Sequence, residues 1–157
     1  MQLHAAISDL RETSEQPVRQ NREVVLAFSY PFDALTPQLF MTPRIYHNPR
    51  CSKSRQTLAL IQEQGIEPEI IEYLQNPPSA EELDSILQAL EMEPMQLMRK
   101  GEGEFKELDL ANSDMTRDEL ITTMIAHPKL IERPIVVAKK GVVIGRPPEN
   151  VLAILDK

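Results

Sequence analysis

Beyond its first forty residues, the chain alternates apolar and polar positions in an order that predicts a strand, a helix and a second strand. The apolar pair Ile45-Tyr46 precedes a turn at Asn48-Pro49, and residues 52–64 then carry apolar side chains at helical spacing. The run over residues 69–73 predicts the second strand. A unit of this size indicates two parallel strands joined by a right-handed crossover.

Helical patterns dominate the part of the chain that follows. Ser79 with Glu82, and Thr116 with Glu119, have the spacing of capping boxes, which open helices. The helical segments that we predict here cover residues 80–90, 94–100, 105–110 and 117–126. Together they form a helical insertion between the first strand unit and the end of the chain.

The last part of the chain predicts a β-hairpin and a closing helix. Two β-branched runs, at residues 135–138 and 142–144, flank a short loop that contains Gly141, and a helix is expected over residues 148–155. The order β-α-β, helical insertion, β-β-α predicts an α/β thioredoxin-like fold with a mixed sheet. In that fold a proline before the hairpin faces the first helix. Pro134 has this place, and its peptide bond is open to either isomer because cis X-Pro costs only ~0.5–1 kcal/mol.

Residues 1–40 follow no clear amphipathic period. They combine polar stretches with an apolar patch over residues 24–32, which Pro31 interrupts. We interpret residues 1–40 as an N-terminal extension outside the core and residues 41–157 as the thioredoxin-like domain. The alternative is that residues 24–32 form a docking arm.

Composition narrows the class of protein. A chain of 157 residues can hold a core without disulfides. It has no apolar run long enough for a bilayer and no basic-then-apolar start typical of a secretory signal, so we expect a cytoplasmic protein without membrane contact. The formal net charge of -7 argues against a non-specific nucleic-acid binder. No metal site is expected, because the three histidines share no ligand spacing and no second thiol accompanies the single cysteine.

The single cysteine, Cys51, lies at the predicted N-terminus of the first helix. Unpaired backbone N–H groups and the positive end of the helix dipole stabilise a thiolate there, and the same helix end can hold an oxyanion. Basic or polarisable neighbours in the sequence are His47, Arg50, Lys53 and Arg55. The alternative is a buried cysteine that acts as a small apolar residue, but the charged and polar neighbours favour a reactive thiol.

Three arginines stand at element boundaries from which a thioredoxin-like fold can bring them toward Cys51. Arg99 ends a predicted helix of the insertion, Arg133 precedes Pro134, and Arg146 follows the second hairpin strand. Each alone has an ordinary explanation: contacts to helix-end carbonyls, a surface ion pair or a solvated turn. Together with a nucleophile at a helix N-terminus, they indicate a tetrahedral oxyanion held by planar guanidinium groups, a geometry that lysine does not reproduce.

Two polar residues flank the cysteine at distances that matter for its chemistry. His47, four positions earlier, can hydrogen-bond near the thiolate, or it can serve packing or the turn. Ser54, one helical turn later, can donate a hydrogen bond to the sulfur. Both are therefore candidate site residues.

Residues 41–157 resemble the glutaredoxin-linked arsenate reductase (ArsC) family almost end to end. Five collinear motifs carry the resemblance: IYHNPRCSKSR at 45–55, YLQNPP at 73–78, LMRK at 97–100, HPKLIERPIVV at 127–137 and GRP at 145–147. The resemblance implies that Cys51 is the nucleophile and His47 the histidine near the thiol. It also implies that the substrate anion is bound by Arg99, Arg133 and Arg146. The first forty residues have no counterpart in the family pattern.

The reaction that this resemblance implies is the reduction of arsenate to arsenite. The Cys51 thiolate attacks arsenate and forms a covalent adduct, while the arginines neutralise the oxyanion. With one cysteine the chain cannot close an internal disulfide, so an external thiol must resolve the adduct. The resemblance implies that glutathione attacks and that glutaredoxin reduces the mixed disulfide. The expected partners are arsenate, glutathione as thiol co-substrate, and glutaredoxin, with no tightly bound cofactor.

Two other functions stay open at this stage. Spx-like regulators resemble the family in fold and bind RNA polymerase, but their redox switch is typically a Cys-x-x-Cys pair, whereas Ser54 stands three residues after Cys51. A glutathione-dependent thiol reductase with another substrate is the third interpretation, and nothing in the sequence excludes it.

Overall fold

The regular elements of this computed structural model lie within residues 42–156, which are the residues that the structure describes. The strands are β1 (Arg44–Tyr46), β2 (Glu69–Ile71), β3 (Ile135–Ala138) and β4 (Gly141–Ile144). The α-helices are α1 (Ser52–Glu63), α2 (Ala80–Ala89), α3 (Pro94–Leu97), α4 (Gly103–Glu107) and α5 (Arg117–Ala126). The 3-10 helices are Leu110–Asn112, Pro128–Leu130 and Pro148–Ala153. The predicted extension, with its alternative role as a docking arm, lies outside the described residues.

The four strands form one mixed sheet in the order β2-β1-β3-β4. β1 and β2 are parallel, whereas β3 is antiparallel to both β1 and β4. This arrangement confirms the α/β thioredoxin-like fold that the sequence predicts. In the register of the sheet, Tyr46 pairs with Ile71 and Ile135, and Ile135 pairs with Ile144. These paired residues lie at the same end of the sheet. The segments that follow β1, β2 and β4 therefore meet there with the segment that precedes β3.

Two apolar clusters cover the two faces of the sheet, because successive strand residues point to opposite faces. Ile45 and Val136 pack with Ile61 of α1 on one face, together with the residues that close the chain. Tyr46 and Ile135 belong to the larger cluster on the other face, which buries the apolar sides of α2 and α5. Within residues 42–156, no helix is both long and apolar enough to cross a membrane.

Three predicted helices differ from those observed. In place of the helix predicted over residues 105–110, the structure has α4 over Gly103–Glu107 and a separate 3-10 helix over Leu110–Asn112. The helix predicted over residues 94–100 ends at Leu97, because Met98 is extended and pairs with Ile131. Arg99 therefore lies beyond a helix end instead of within the last turn. The closing helix is a 3-10 helix over Pro148–Ala153 and stops before the predicted residue 155.

The two predicted capping boxes have different outcomes. At α5, Thr116 and Glu119 form both reciprocal contacts, which confirms the prediction. At α2, the Ser79 hydroxyl accepts from the Glu82 backbone N–H at 3.1 Å. The Glu82 carboxylate instead pairs with Arg44 at 2.6 Å, so the second half of that box is replaced by a contact to β1.

Candidate active site

The candidate active site lies at the end of the sheet where the segments after β1, β2 and β4 meet the segment before β3. The loop after β1 leads directly into α1, and His47 N donates to Ile71 O at 2.8 Å, which ties this loop to the end of β2. On the other side, Gly145 N donates to Pro134 O at 2.9 Å, which joins the end of β4 to the entry into β3. These two hydrogen bonds join four segments that are distant in the chain into two pairs at this end of the sheet.

Cys51 is the residue that precedes the first turn of α1, and its side chain is half-buried. Its backbone is held by Asn48, whose carbonyl accepts from Cys51 N at 2.9 Å. Burial raises the pKa of the Cys51 thiol, but hydrogen bonds from the backbone N–H groups of Ser54 and Lys53, followed by the charges of Arg133 and Arg146, lower it below its ordinary value. The helix N-terminus thus stabilises the thiolate, as the sequence predicts.

Two of the three predicted arginines lie at the thiol. Arg146 places Nη2 3.7 Å from Cys51 Sγ. Two contacts fix the orientation of this guanidinium, because its Nε donates to Arg133 O at 2.8 Å and lies 3.0 Å from Glu132 Oε1. Arg133 acts on the thiolate through its charge, and its buried Nε makes no hydrogen bond to any residue in the described part of the chain.

Arg99 occupies a different position from the other two arginines. Its backbone N donates to Leu130 O at 2.8 Å, which places it beside the segment that leads to Arg133. Its guanidinium pairs with Glu102 and donates to Lys129 O at 3.3 Å. The structure thus brings Arg99 to the same region, with its charge partly neutralised by an acidic neighbour.

His47 and Ser54 contact each other. Ser54 Oγ lies 2.8 Å from His47 Nδ1 and accepts from Asn48 N at 3.0 Å. Because the hydroxyl oxygen already accepts, we assign its hydrogen to His47 Nδ1. Burial lowers the pKa of His47, which agrees with a neutral ring. The Ser54 hydroxyl therefore points to His47, whereas the sequence suggested the sulfur as its acceptor, and it is the Ser54 backbone N–H that bonds the thiolate.

Tyr73 is a residue to which sequence reasoning gave no role. It is buried, and its hydroxyl has no hydrogen-bond partner within residues 42–156. Burial raises the pKa of Tyr73, while the nearby charges of Arg133 and Arg99 oppose that rise. Tyr73 thus lies close enough to both arginines for their charges to act on its hydroxyl. Its only sequence signal is its place in the motif at residues 73–78.

Gly145 lets three elements approach closely at the site. A Cβ at this position would lie 2.5 Å from Thr57 Oγ1 of α1 and 2.8 Å from Pro134 Cγ. The Thr57 hydroxyl has two carbonyl acceptors for its one hydrogen, Lys53 O at 2.9 Å and Gly145 O at 3.3 Å. The peptide bonds Arg133–Pro134 and Arg146–Pro147 are both cis, which answers the isomer question that the sequence left open at Pro134.

Among residues 42–156, no three His, Cys, Asp or Glu side chains come together in a group that could hold a metal ion. What the site offers is a half-buried thiol at a helix N-terminus with two guanidinium groups beside it. Such a site can stabilise a thiolate and the negative charge of an oxyanion bound to it.

A thioredoxin-like sheet with a single cysteine at the start of the first helix is typical of thioredoxin-like thiol proteins, and this is the class of the protein. Comparison with known families specifies it further, because the model of the ArsC family matches residues 46–154. The chain belongs to the ArsC family, which confirms the resemblance seen in the sequence motifs.

Individual relatives agree with this assignment. The chain is 52% identical over 113 residues to the uncharacterized protein YfgD of Escherichia coli (strain K12), covering 71% of this chain and 95% of that protein. It is 48% identical over 116 residues to an arsenate reductase of Haemophilus influenzae, covering 73% of this chain and all of the relative. Among solved structures, an arsenate reductase from Vibrio cholerae matches with a TM-score of 0.70 at 52% identity, covering 74% of this chain and 99% of the other.

Proposed function

We propose that this protein reduces arsenate to arsenite through the Cys51 thiolate. The observation that carries the proposal is the 3.7 Å approach of Arg146 Nη2 to Cys51 Sγ at the N-terminus of α1. This is a nucleophile with an anion-binding group beside it. Relatives that cover about the same part of the chain, such as the Haemophilus influenzae protein, are named arsenate reductases.

In the first step, the thiolate attacks the arsenic of arsenate. An S–As bond forms, an As–O bond breaks, and the leaving oxygen departs as water after taking up protons, so arsenic stays pentavalent. The N–H groups of Lys53 and Ser54 hold the sulfur before the attack. Arg133 and Arg146 neutralise the oxyanion, and Arg99 contributes its charge as a third anion-binding residue, weakened by its pairing with Glu102.

His47 and Ser54 support this step without touching the reacting atoms. The Ser54 hydroxyl joins His47 Nδ1 to the backbone of Asn48. This contact holds the loop that presents Cys51. We therefore assign His47 and Ser54 to positioning the nucleophile, and we expect their replacement to act through the geometry of the loop.

In the second step, an external thiol supplies the electrons, because the chain has one cysteine. The glutathione thiolate attacks Cys51 sulfur, an S–S bond forms, and the S–As bond breaks. Its electron pair stays on arsenic, which leaves as trivalent arsenite. A glutaredoxin thiol then attacks the mixed disulfide and restores the Cys51 thiolate. No tightly bound cofactor takes part.

A coupled assay tests this proposal. The purified protein is given arsenate, glutathione, glutaredoxin, glutathione reductase and NADPH, and NADPH oxidation is followed. We expect arsenate-dependent turnover that is abolished in Cys51→Ser, because a hydroxyl stays protonated near neutral pH. Residual activity of Cys51→Ser above a few per cent would contradict the assignment of the nucleophile.

The same assay separates the other interpretations. NADPH oxidation that needs a disulfide substrate but not arsenate supports the general thiol reductase. A protein that turns over neither substrate while its thiol remains reactive supports a binding role of the Spx-like kind. Either result rejects arsenate reduction as the function.

A further inference from the structure

A cavity of about 280 Å³ lies between the loop that precedes α1 and the segment after β2. His47 and Arg50 line it from the loop, and Glu72, Leu74 and Gln75 line it from the other side. Arg50 is the residue directly before Cys51, so the wall of the cavity includes a chain neighbour of the nucleophile. The three arginines of the anion site are not part of its wall in the described part of the chain.

The polar groups of this cavity include a donor without a partner in the protein. His47 is only 6% exposed, and Ser54 occupies its Nδ1. In the neutral tautomer assigned above, the ring hydrogen is on Nε2. No hydrogen bond joins Nε2 to another residue in the described range, and His47 lines the cavity. A nearly buried N–H donor is thus available to an acceptor there.

Charges of both signs stand on the cavity wall. Glu72 Oε2 accepts from Gln75 Nε2 at 3.1 Å, which orients the carboxylate and leaves Oε1 for another donor. Arg50 is exposed and contributes a positively charged side chain to the wall, from the residue directly before Cys51. Leu74, 37% exposed, adds an apolar surface. The combination suits a ligand end that carries an ammonium group, a carboxylate and a short aliphatic stretch.

We propose that this cavity binds the γ-glutamyl end of glutathione. This end carries the α-ammonium group for Glu72 and the α-carboxylate for Arg50, with methylenes that can pack on Leu74. The His47 Nε2–H group then donates to the peptide carbonyl that follows. The inference rests on the proposed function, because it assigns a binding place to the thiol co-substrate of that reaction.

The volume and the charged wall of the cavity bear on which end of glutathione lies in it. Its volume is just below the roughly 300–1,000 Å³ of sites that enclose drug-sized ligands. We place the γ-glutamyl end in it, because the acidic and basic side chains of the wall match the charges of that end, and the rest of glutathione extends past Arg50 toward Cys51. The glutathione thiol approaches the Cys51 sulfur from the cavity side, while Arg133 and Arg146 hold the anion.

Binding is measured by titration calorimetry on the full chain with Cys51→Ser, which prevents disulfide formation, and without arsenate. We expect Glu72→Gln to raise the Kd for glutathione about tenfold, because it removes the charge that pairs with the ammonium group. The matched control is Glu69→Gln, since Glu69 is an exposed acid of β2 outside the cavity wall. γ-Glutamylcysteine should bind like glutathione, and cysteinylglycine at least tenfold more weakly.

The outcomes separate this inference from the proposed function. It is overturned if millimolar glutathione gives no binding, if Glu72→Gln matches the control, or if cysteinylglycine binds as tightly as glutathione. Arsenate turnover with an unchanged KM for glutathione in Glu72→Gln rejects the cavity and leaves the arsenate reaction standing. If glutathione binding depends on Glu72 but the protein with Cys51 intact does not reduce arsenate, the cavity is supported and the reaction is rejected.

Discussion

At the scale of single residues, the thiol of Cys51 owes its lowered pKa to its place at the start of α1. Against the opposing effect of burial, the largest favourable contributions come from the backbone N–H groups of Ser54 and Lys53, and the charges of Arg133 and Arg146 follow. The basic neighbours in the sequence contribute differently. Arg55, for example, donates to Pro49 O at 2.8 Å and so supports the loop.

The first prediction concerns this pKa. Only the thiolate is alkylated, so a lowered pKa moves the midpoint of the pH–rate profile for iodoacetamide to lower pH. We expect a midpoint below the ~8.5 of free cysteine. Arg146→Ala should move it to higher pH, because it removes a positive charge beside the sulfur. Arg117→Ala, which removes an arginine that pairs with Asp84 and Glu93, is the matched control and should leave the midpoint unchanged.

The second prediction concerns the buried hydroxyl of Ser54. Ser54→Ala leaves the Asn48 N–H and His47 Nδ1 without their partner, which we expect to lower the free energy of unfolding by about 1–3 kcal/mol. Urea unfolding measures the change. Ser52→Ala is the control, because Ser52 is exposed and its hydroxyl makes no hydrogen bond within residues 42–156. Equal stability of the two variants would mean that the contact between Ser54 and His47 does not support the loop.

The sequence predicts which element a site residue lies on better than it predicts which partner its side chain contacts. The placement of Cys51 at a helix start, and of Arg133 and Arg146 near it, follows from element order alone. The Ser54 hydroxyl contacts His47 in the loop before α1, and the Arg99 guanidinium pairs with Glu102 beyond the end of α3. Such choices depend on tertiary contacts that hydrophobic periodicity does not encode.

At the scale of elements, the site depends on how closely α1 approaches the hairpin. Gly145, Thr57 and Pro134 meet at this junction. The Thr57 hydroxyl lies 3.3 Å from the Gly145 carbonyl and connects the first turns of α1 to the end of β4. Since Arg146 follows Gly145 directly, this junction also sets how close its guanidinium comes to Cys51.

The third prediction tests the junction. Gly145→Ala places a Cβ within 3 Å of Thr57 and Pro134, so we expect α1 and the hairpin to separate at a cost of about 1–3 kcal/mol in unfolding free energy. Thermal and chemical unfolding measure this loss, and the thiol pKa should rise as Arg146 moves away. Gly101→Ala is the control, because no atom lies within 4 Å of a Cβ there. A Gly145→Ala protein as stable as the control would contradict the close packing.

Element order was predictable because each strand and long helix has its own local pattern. The strand starts at residues 69 and 135 and the bounds of α5 agree with the structure. The misses come from contacts between distant residues. The pairing of Met98 with Ile131 ends α3 early, and Arg44 takes the Glu82 carboxylate from across 38 positions.

At the scale of the whole molecule, the site is assembled from residues that are far apart in the chain. Arg146 and Cys51 are 95 positions apart, yet the sheet register brings them into contact. The pairing of Met98 with Ile131 and the hydrogen bond from Arg99 to Lys129 O bring Arg99 to the same region. The central claim is that this assembly is an oxyanion site and that the thiol works together with it.

The measurement that tests this claim most directly is the arsenate turnover of the Arg99→Ala, Arg133→Ala and Arg146→Ala proteins. Loss of a charge-assisted interaction of about 1.5–3 kcal/mol predicts a fall in kcat/KM of roughly tenfold or more for Arg133→Ala and Arg146→Ala. Arg99→Ala should lose less, because the charges that lower the thiol pKa are those of Arg133 and Arg146, whereas the Arg99 guanidinium pairs with Glu102 and donates to Lys129 O.

Two comparisons make the result decisive. Lysine at position 146 should restore activity only in part, because it keeps the charge and loses the planar two-pronged geometry. Arg117→Ala removes two ion pairs with Asp84 and Glu93 and should keep wild-type turnover. We expect this pattern of activities in the coupled assay. Arginine variants that all match wild type while Cys51→Ser is inactive would contradict the oxyanion site and favour a general thiol reductase.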